Sequence, residues 1–181
     1  MTRYVAFLRG INVGGNKLIK MEHLARIFTE AGFKNVRTYI ASGNVIFDSS
    51  STSKTALTRK IEKVLLNALG YEVKVVLRTL SELEALVSRN AVGKRQTSKD
   101  VYLFVVLLGG EPKNKVEIPL ISTKENFEVF EVSNGAAFIE ARRKKTGWFG
   151  YPNNFIEKEF GVVGTTRNWS TLNKILKAAE K

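Results

Sequence analysis

The stretch Arg9-Gly10-Ile11-Asn12-Val13-Gly14-Gly15-Asn16-Lys17 lies between an apolar run at residues 4–8 and an amphipathic segment at residues 21–31. It contains three glycines, two asparagines and two cations, and it has no carboxylate. Glycine lets the backbone turn sharply, and successive backbone N–H groups beside cations can bind an anion. The sequence therefore predicts a turn between a strand and a helix whose N–H groups face an anion.

Around this turn, hydrophobic periodicity in residues 1–80 predicts a strand, a helix, two strands, a helix and a strand, in that order. The turn Ser42-Gly43-Asn44 joins the two middle strands as a hairpin. The order β-α-β-β-α-β is that of the ferredoxin-like unit. The strands are expected at residues 3–8, 36–41, 45–48 and 71–77, and the helices at residues 21–31 and between the loop 49–53 and Gly70.

Residues 81–181 predict a second α+β half packed on the first. An apolar run at 101–108 predicts a strand buried on both faces, and Asn134-Gly135 predicts a hairpin between strands at 127–132 and 136–141. Helices are expected at 81–89, 154–160 and 169–179, the last of them amphipathic. The predicted fold class is thus α+β, with a ferredoxin-like subdomain at 1–80 and a second α+β subdomain at 81–181.

The charge balance is strongly basic. Twenty-nine lysines and arginines against 17 acidic residues give a net charge of +12, and this positive potential favours a polyanionic partner such as nucleic acid. The chain has no cysteine, which excludes disulfides, thiolate nucleophiles and cysteine-ligated metals. No apolar run approaches the roughly 18 residues of a membrane-spanning helix, and the first residues lack a signal-peptide pattern. We therefore expect a cytoplasmic protein that does not enter a membrane.

The glycine-rich turn does not match either common nucleotide-binding motif. Gly10 and Gly15 have the separation found in a Walker A loop, but Asn16 precedes Lys17, and Leu18 stands where a hydroxyl must hold magnesium. The dinucleotide-binding pattern G-x-G-x-x-G cannot be read in this stretch either. What remains is a generic anion-facing turn, or alternatively a turn that only reverses the chain.

Two further activities find little support in the sequence. His23 is the single histidine and lies off the apolar stripe of its predicted helix, so no metal site can be built around it. The predicted strand at 45–48 carries one aromatic residue, Phe47, and lacks the aromatic pattern of an RNA recognition motif. No metal is therefore predicted, and the sequence specifies neither a cofactor nor a catalytic residue.

A second candidate surface lies at residues 142–151, which we call the basic–aromatic turn. Cations contact the phosphate backbone of nucleic acids, and exposed aromatic rings stack on unpaired bases. The alternative is a solvated basic turn whose aromatic residues anchor it to the core. The residues expected to contact nucleic acid here are Arg142, Arg143, Lys144, Lys145, Trp148 and Tyr151.

Four separated stretches resemble those of one protein family. They are Phe7 to Lys17, Tyr39-Ile40-Ala41-Ser42-Gly43-Asn44-Val45-Ile46-Phe47, Asn153-Asn154-Phe155-Ile156-Glu157 and Thr165-Thr166-Arg167-Asn168-Trp169-Ser170-Thr171. With them the chain resembles, over nearly its whole length, the uncharacterised bacterial proteins of the DUF1697 family. The resemblance implies two α+β halves, the first ferredoxin-like, and a cytoplasmic location, and it implies no activity. Pro152 replaces the glycine of the family's Gly-Asn-Asn tract.

The resemblance also indicates where a site would be assembled. In a β-α-β-β unit the first and second strands run parallel, so the turns that follow them emerge at the same edge of the sheet. The stretch at 165–171 opens the last helix and is expected to join them. We call the predicted set the Gly/Asn rim, which comprises Arg9, Asn12, Gly14, Gly15, Asn16, Lys17, Ser42, Asn44, Arg167 and Asn168.

Three functions are compatible with this sequence. The first is a binding protein for a phosphorylated or nucleic-acid-like partner, with the Gly/Asn rim as the anion site and the basic–aromatic turn beside it. The second is an enzyme acting on a small phosphorylated or carboxylated metabolite in a pocket at the rim. The third is a protein–protein interaction module in which the glycine and asparagine residues only pack the fold.

Overall fold

The computed structural model of the chain describes residues 1–13, 15 and 18–181. The chain divides into two compact units, a first unit of Met1–Leu83 with Ile175–Lys181 and a second unit of Glu84–Lys174. Each unit contains an antiparallel sheet together with helices, so the predicted α+β class is confirmed. The division falls a few residues after the predicted boundary, and the end of the last helix is grouped with the first unit rather than the second.

In the first unit the six elements from the first to the fourth strand follow in the predicted order. Its strands are β1 (Thr2–Leu8), β2 (Lys34–Thr38), β3 (Asn44–Ser49) and β4 (Val75–Thr79), and its helices are α1 (Met21–Glu30) and α2 (Lys54–Leu69). The helix α3 (Leu80–Ser88) begins in this unit and ends in the second. The strands form one antiparallel sheet in the order β2-β3-β1-β4. The ferredoxin-like assignment of this half stays a prediction.

The core of the first unit lies between one face of the sheet and helices α1 and α2. Tyr4 and Phe47 stack across β1 and β3 with their ring centroids 5.6 Å apart. Burying one large apolar side chain contributes roughly 1.5–3 kcal/mol. Because α1 and α2 each bury several such side chains in the same cluster, this burial holds both helices against the sheet. The helical residues in this cluster are Leu24, Ile27, Phe28, Leu57, Ile61 and Leu65.

Helix α2 begins and ends where the sequence places its caps. The Ser53 side chain accepts a hydrogen bond from the Ala56 N–H at 3.3 Å, and Gly70 adopts the left-handed conformation with φ 77°. Helix α3 begins with a reciprocal capping box, in which the Thr79 N–H donates to Glu82 and the Glu82 N–H donates to the Thr79 hydroxyl. Both helix starts are therefore determined by local side-chain hydrogen bonds.

The second unit contains a five-stranded antiparallel sheet in the order β6-β7-β8-β5-β9. Its strands are β5 (Val101–Leu108), β6 (Leu120–Ser122), β7 (Phe127–Ser133), β8 (Ala136–Arg142) and β9 (Gly164–Asn168), and its helix is α4 (Pro152–Phe160); α5 (Trp169–Ala179) begins here and ends in the first unit. As predicted, β5 spans 101–108 and Asn134-Gly135 joins β7 to β8, both residues having positive φ.

Several predicted boundaries were wrong. β4 begins at Val75 rather than at residue 71 because its ladder with β1 ends at the pair Leu8 and Val75. β2 begins at Lys34 and ends at Thr38, at the edge of the sheet beside β3. The strands β6 and β9 were not predicted. β6 has only three residues, and β9 carries its register through main-chain pairing with β5 rather than through an apolar pattern.

An ion pair joins the two central strands of this sheet, β1 and β3. The Arg3 Nε donates to Asp48 Oδ1 at 3.0 Å, and the Asn35 amide donates to Asp48 Oδ2 at 2.7 Å. A further Arg3 nitrogen donates to the carbonyl of Ala179 at 2.9 Å, which connects the end of α5 to β1. Hydrogen bonding to the Arg3 guanidinium is the main cause that holds the pKa of Asp48 below its usual value.

Replacing Asp48→Asn is expected to lower the free energy of unfolding at pH 7 by about 2 kcal/mol, because a hydrogen-bonded charge is lost. A carboxylate whose pKa is lowered by folding stabilises the protein above its unfolded pKa of about 3.9, and this contribution disappears as the pH falls through the folded pKa. Urea unfolding at pH 7 and near pH 3 tests this. The wild type should lose its advantage over the variant at the lower pH, and an equal difference at both would contradict the assignment.

Candidate functional site

Asn12 connects the glycine-rich turn to the turn after β2. Its Oδ1 accepts a hydrogen bond from the Ile19 N–H at 2.7 Å, and its Nδ2 donates to the carbonyls of Ile19 and Ala41 at 3.1 and 2.8 Å. One carboxamide therefore closes the loop between β1 and α1 and ties it to residue 41. The expectation that the two turns lie at the same edge of the sheet is met for these residues.

Asn44 holds the second turn from inside. It is fully buried, with a relative exposure of 0%, and its Nδ2 donates to the carbonyl of Tyr39 at 2.9 Å and to the Ser42 hydroxyl at 3.0 Å. The Tyr39 N–H in turn donates to the Asn44 carbonyl at 2.9 Å. Asn44 thus organises the backbone of residues 39–44, and its amide donors point into the protein.

Gly43 is pressed against the end of β1. Its carbonyl accepts a hydrogen bond from the Leu8 N–H at 2.8 Å. A Cβ at this position would lie 3.0 Å from the Cβ of Leu8 and 3.5 Å from that of Ile11, and the φ of 77° is already unfavourable for other residues. Both the left-handed conformation and the tight space therefore favour glycine here.

Ile40 is strained by the same arrangement. It adopts a φ of 51°, a left-handed conformation that is rare for a β-branched side chain, and 46% of it is exposed. Its neighbours are both held, Tyr39 by Asn44 and Ala41 by Asn12. The two asparagine side chains therefore impose this conformation on Ile40 from either side.

The other rim residues of the first unit differ from Asn12 and Asn44 in burial and contacts. Arg9 is half-buried and its N–H donates to the carbonyl of Lys74 at 2.9 Å. Gly15 is exposed with a φ of 77°. Gly14, Asn16 and Lys17, which the rim prediction included, lie outside the residues that the structure describes.

Arg167 and Asn168 belong to the second unit, where they end β9. Arg167 is buried, and its Nη1 donates to the Thr165 hydroxyl at 3.0 Å and to the carbonyl of Thr166 at 2.8 Å. Burial lowers the pKa of Arg167 to about 10, an effect opposed by the charge interaction with Tyr151. Asn168 is exposed. That these two residues join the rim of the first unit stays a prediction.

The basic–aromatic turn is held by Arg143. Its guanidinium donates to the carbonyl of Lys99 through two nitrogens and to the carbonyl of Gly147 at 2.7 Å. It also lies 3.5 Å from an Asp100 carboxylate oxygen and 5.0 Å from the centre of the Phe149 ring. The four consecutive cations are therefore not equivalent, because Arg143 is engaged by the turn itself.

The three aromatic residues of the turn also have different roles. Phe149 stacks on Tyr102 of β5, with ring centroids 4.2 Å apart and an interplanar angle of 4°. Trp148 and Tyr151 instead expose 77% and 61% of their surfaces. Phe149 therefore anchors the turn to the sheet, as one alternative for this segment predicted, while the other two rings face solvent.

Cations surround an open cleft of about 430 Å³ beside this turn. Some of them are balanced, since Arg142 and Arg95 both approach Glu140, and Lys144 lies 3.4 Å from Glu125. The cleft is lined by Asp100, Val101, Asn126, Arg142, Arg143, Lys144 and Lys145. Sequence reasoning missed the contribution of Asp100, Asn126 and Tyr102, because tertiary pairing brings them to the turn. Asp100 and Tyr102 arrive through the pairing of β5 with β8, and Asn126 through the pairing of β7 with β8.

Two antiparallel sheets flanked by helices, with glycine- and asparagine-rich turns at the end of β1, define an α+β protein of two units. The chain belongs to the DUF1697 family, described as a protein of unknown function, whose sequence pattern matches residues 1–138. Its fold is similar to that of the conserved bacterial protein SP0830 from Streptococcus pneumoniae, with a TM-score of 0.68 and 24% identity over 100% of this chain and 99% of that one. At this identity the similarity shows the fold alone.

Comparison with curated proteins finds no match. In the part of the chain that the structure describes, no helix is long and apolar enough to cross a membrane.

Replacing Asn44→Ala is expected to lower the free energy of unfolding by about 2 kcal/mol, because buried hydrogen-bond partners lose their donor. The matched control is Asn67→Ala on the exposed surface of α2, where alanine is the better helix former and the stability should stay equal or rise slightly. Urea denaturation measures both. Equal stabilities for the two variants would show that Asn44 does not hold the turn.

Replacing Ile40→Asn is expected to raise the free energy of unfolding by about 1 kcal/mol, because asparagine tolerates the left-handed conformation that costs other residues roughly 1–2 kcal/mol. Ile40→Val keeps the β-branch and should bring no gain. Thermal unfolding of the wild type and the two variants under the same conditions measures these differences in stability. A less stable asparagine variant would mean that Ile40 contributes more through its packing than it loses through strain.

Proposed function

We propose that the protein binds a nucleic-acid-like polyanion through the basic–aromatic turn and the adjacent cations of residues 94–99. The observation that supports this most directly is that exposed aromatic rings belong to the same turn as the four cations that line an open cleft. The cations here are Lys94, Arg95, Lys99, Arg142, Arg143, Lys144 and Lys145, and the carboxylates paired with them are Asp100, Glu125 and Glu140.

The distribution of charge supports a partner with several phosphates. Cations outnumber carboxylates in this region, as they do in the whole chain with its net charge of +12. Arg142 and Lys145 are both exposed, so phosphates can reach them without breaking the contacts of Arg143 with the turn. Arg142 would exchange its contact with Glu140 for a phosphate. A row of exposed cations binds phosphate backbones by releasing their counterions.

The Gly/Asn rim is a weaker candidate for the anion site. The carboxamides of Asn12 and Asn44 hold main-chain and hydroxyl groups of their own turns. A ligand that took over these groups would have to break the turns. For these two residues, the contacts therefore favour the hypothesis that the family signature is a packing feature.

The proposal predicts salt-dependent binding of a fluorescein-labelled strand of about 20 nucleotides, longer than the roughly 4–16 nucleotides covered by a typical single-strand binding fold. Fluorescence anisotropy at several salt concentrations gives the affinity and its slope. The double variant Arg142→Ala/Lys145→Ala should bind more weakly, and its slope of log affinity against log salt should be shallower by about 1.4, since each lost phosphate contact removes about 0.7.

The matched control is Arg59→Ala/Lys63→Ala, which removes the same charge from the exposed surface of α2 in the first unit. Its slope should stay close to that of the wild type. Absence of binding by the wild type even at low salt would refute the proposed function. Equal losses in the two double variants would mean that only net charge matters and that the turn is not the site.

A further inference from the structure

We infer that the polyanion is single-stranded nucleic acid, and that Trp148 and Tyr151 stack on its unpaired bases. This inference rests on the proposed function and makes it more specific. It depends on an exposed aromatic pair that the fold presents on a rigid turn beside the cations of the cleft.

The turn is fixed at its base by hydrogen bonds. The Lys144 N–H donates to the carbonyl of Trp148 at 2.8 Å, and the Gly147 N–H donates to the carbonyl of Lys144 at 2.9 Å. Gly147 has a φ of 84°, and its carbonyl accepts from Arg143. The backbone on either side of Trp148 is therefore held by contacts that do not use the indole ring.

The turn is fixed on the other side of Trp148 as well. Phe149 stacks on Tyr102, and a Cβ at Gly150 would lie 2.2 Å from the Glu125 carbonyl oxygen, so this residue is in close contact with the loop before β7. Phe149 is thus anchored to β5 and Gly150 to the loop before β7, so the backbone that follows Trp148 is held in place. Phe149 thus stabilises the turn, whereas Trp148 and Tyr151 remain exposed and can contact a ligand.

A rigid exposed tryptophan suits an unpaired base better than a duplex. The ring offers a flat face for stacking, worth roughly 1–3 kcal/mol per base, whereas the bases of a duplex are already stacked on one another. Little side-chain or loop entropy is lost on binding when the platform is already ordered. Along the chain Lys145 lies within six residues of both rings and Arg142 within six residues of Trp148, so phosphates on either side of a stacked base have cations nearby.

The test compares a labelled strand of about 20 nucleotides with the same strand annealed to its complement. We expect tighter binding to the single strand. Trp148→Ala should weaken single-strand binding by about 5- to 150-fold, which corresponds to the loss of one stacked base, while Trp148→Phe should retain most of the affinity. Neither variant should change the thermal unfolding temperature, because the side chain is 77% exposed.

Intrinsic fluorescence gives an independent readout. The chain has two tryptophans, and Trp169 is half-buried against Phe138, with ring centroids 6.1 Å apart. In a Trp169→Phe variant the emission comes from Trp148 alone. Unlabelled single strand should quench this emission at saturation, whereas the duplex should leave it nearly unchanged.

The outcomes separate the inference from the proposed function. Equal affinity for strand and duplex, with no loss in Trp148→Ala, would overturn the inference and leave the polyanion proposal standing. No binding of either nucleic acid would overturn both. If the Trp148 emission shifts only with phosphatidylserine-containing vesicles, the turn binds an anionic membrane surface and both proposals fail.

Discussion

The hydrogen bonds of two asparagine side chains determine the conformation of the first unit at the ends of its central strands. Asn12 ties the loop after β1 to Ala41, and Asn44 holds Tyr39 and Ser42 from within the core. Between them Gly43 lies so close to Leu8 that a Cβ would be in tight contact with it. The strained φ of Ile40 follows from these contacts, since its neighbours on both sides are fixed. The asparagine and glycine residues of these turns therefore have a structural role that requires no ligand.

The same reasoning explains why the sequence alone could not assign a role to these turns. Glycine and asparagine favour tight turns because they tolerate positive φ and because a carboxamide both donates and accepts hydrogen bonds. An anion-binding loop requires the same residues, since it also exposes N–H groups through sharp bends. The residue composition therefore predicts a tight turn whether its role is structural or anion-binding. Only the hydrogen-bond partners distinguish the two roles, and those partners, such as Ile19 and Ala41 for Asn12, come from the tertiary fold.

Elements with strong local signals were predictable from the sequence. The apolar run of β5, the Asn134-Gly135 hairpin and the amphipathic helix α5 lie where periodicity and turn chemistry place them. β9 has no such signal. Its sequence Gly-Thr-Thr-Arg-Asn alternates neither in polarity nor in size, and it becomes a strand through its ladder with β5. Its two threonines were the available hint, because β-branched residues favour extended structure.

In the candidate site, too, the sequence does not predict which contacts each side chain makes. Four consecutive cations at 142–145 look interchangeable in the sequence, but they make different contacts in the fold. Arg143 is engaged by main-chain carbonyls and Lys144 lies beside Glu125, whereas Lys145 is exposed. For the proposed binding, an arginine that holds the turn would limit the conformational entropy that a flexible basic loop loses each time it binds. Position in the sequence therefore does not tell which of the four cations holds the turn and which are left to face solvent.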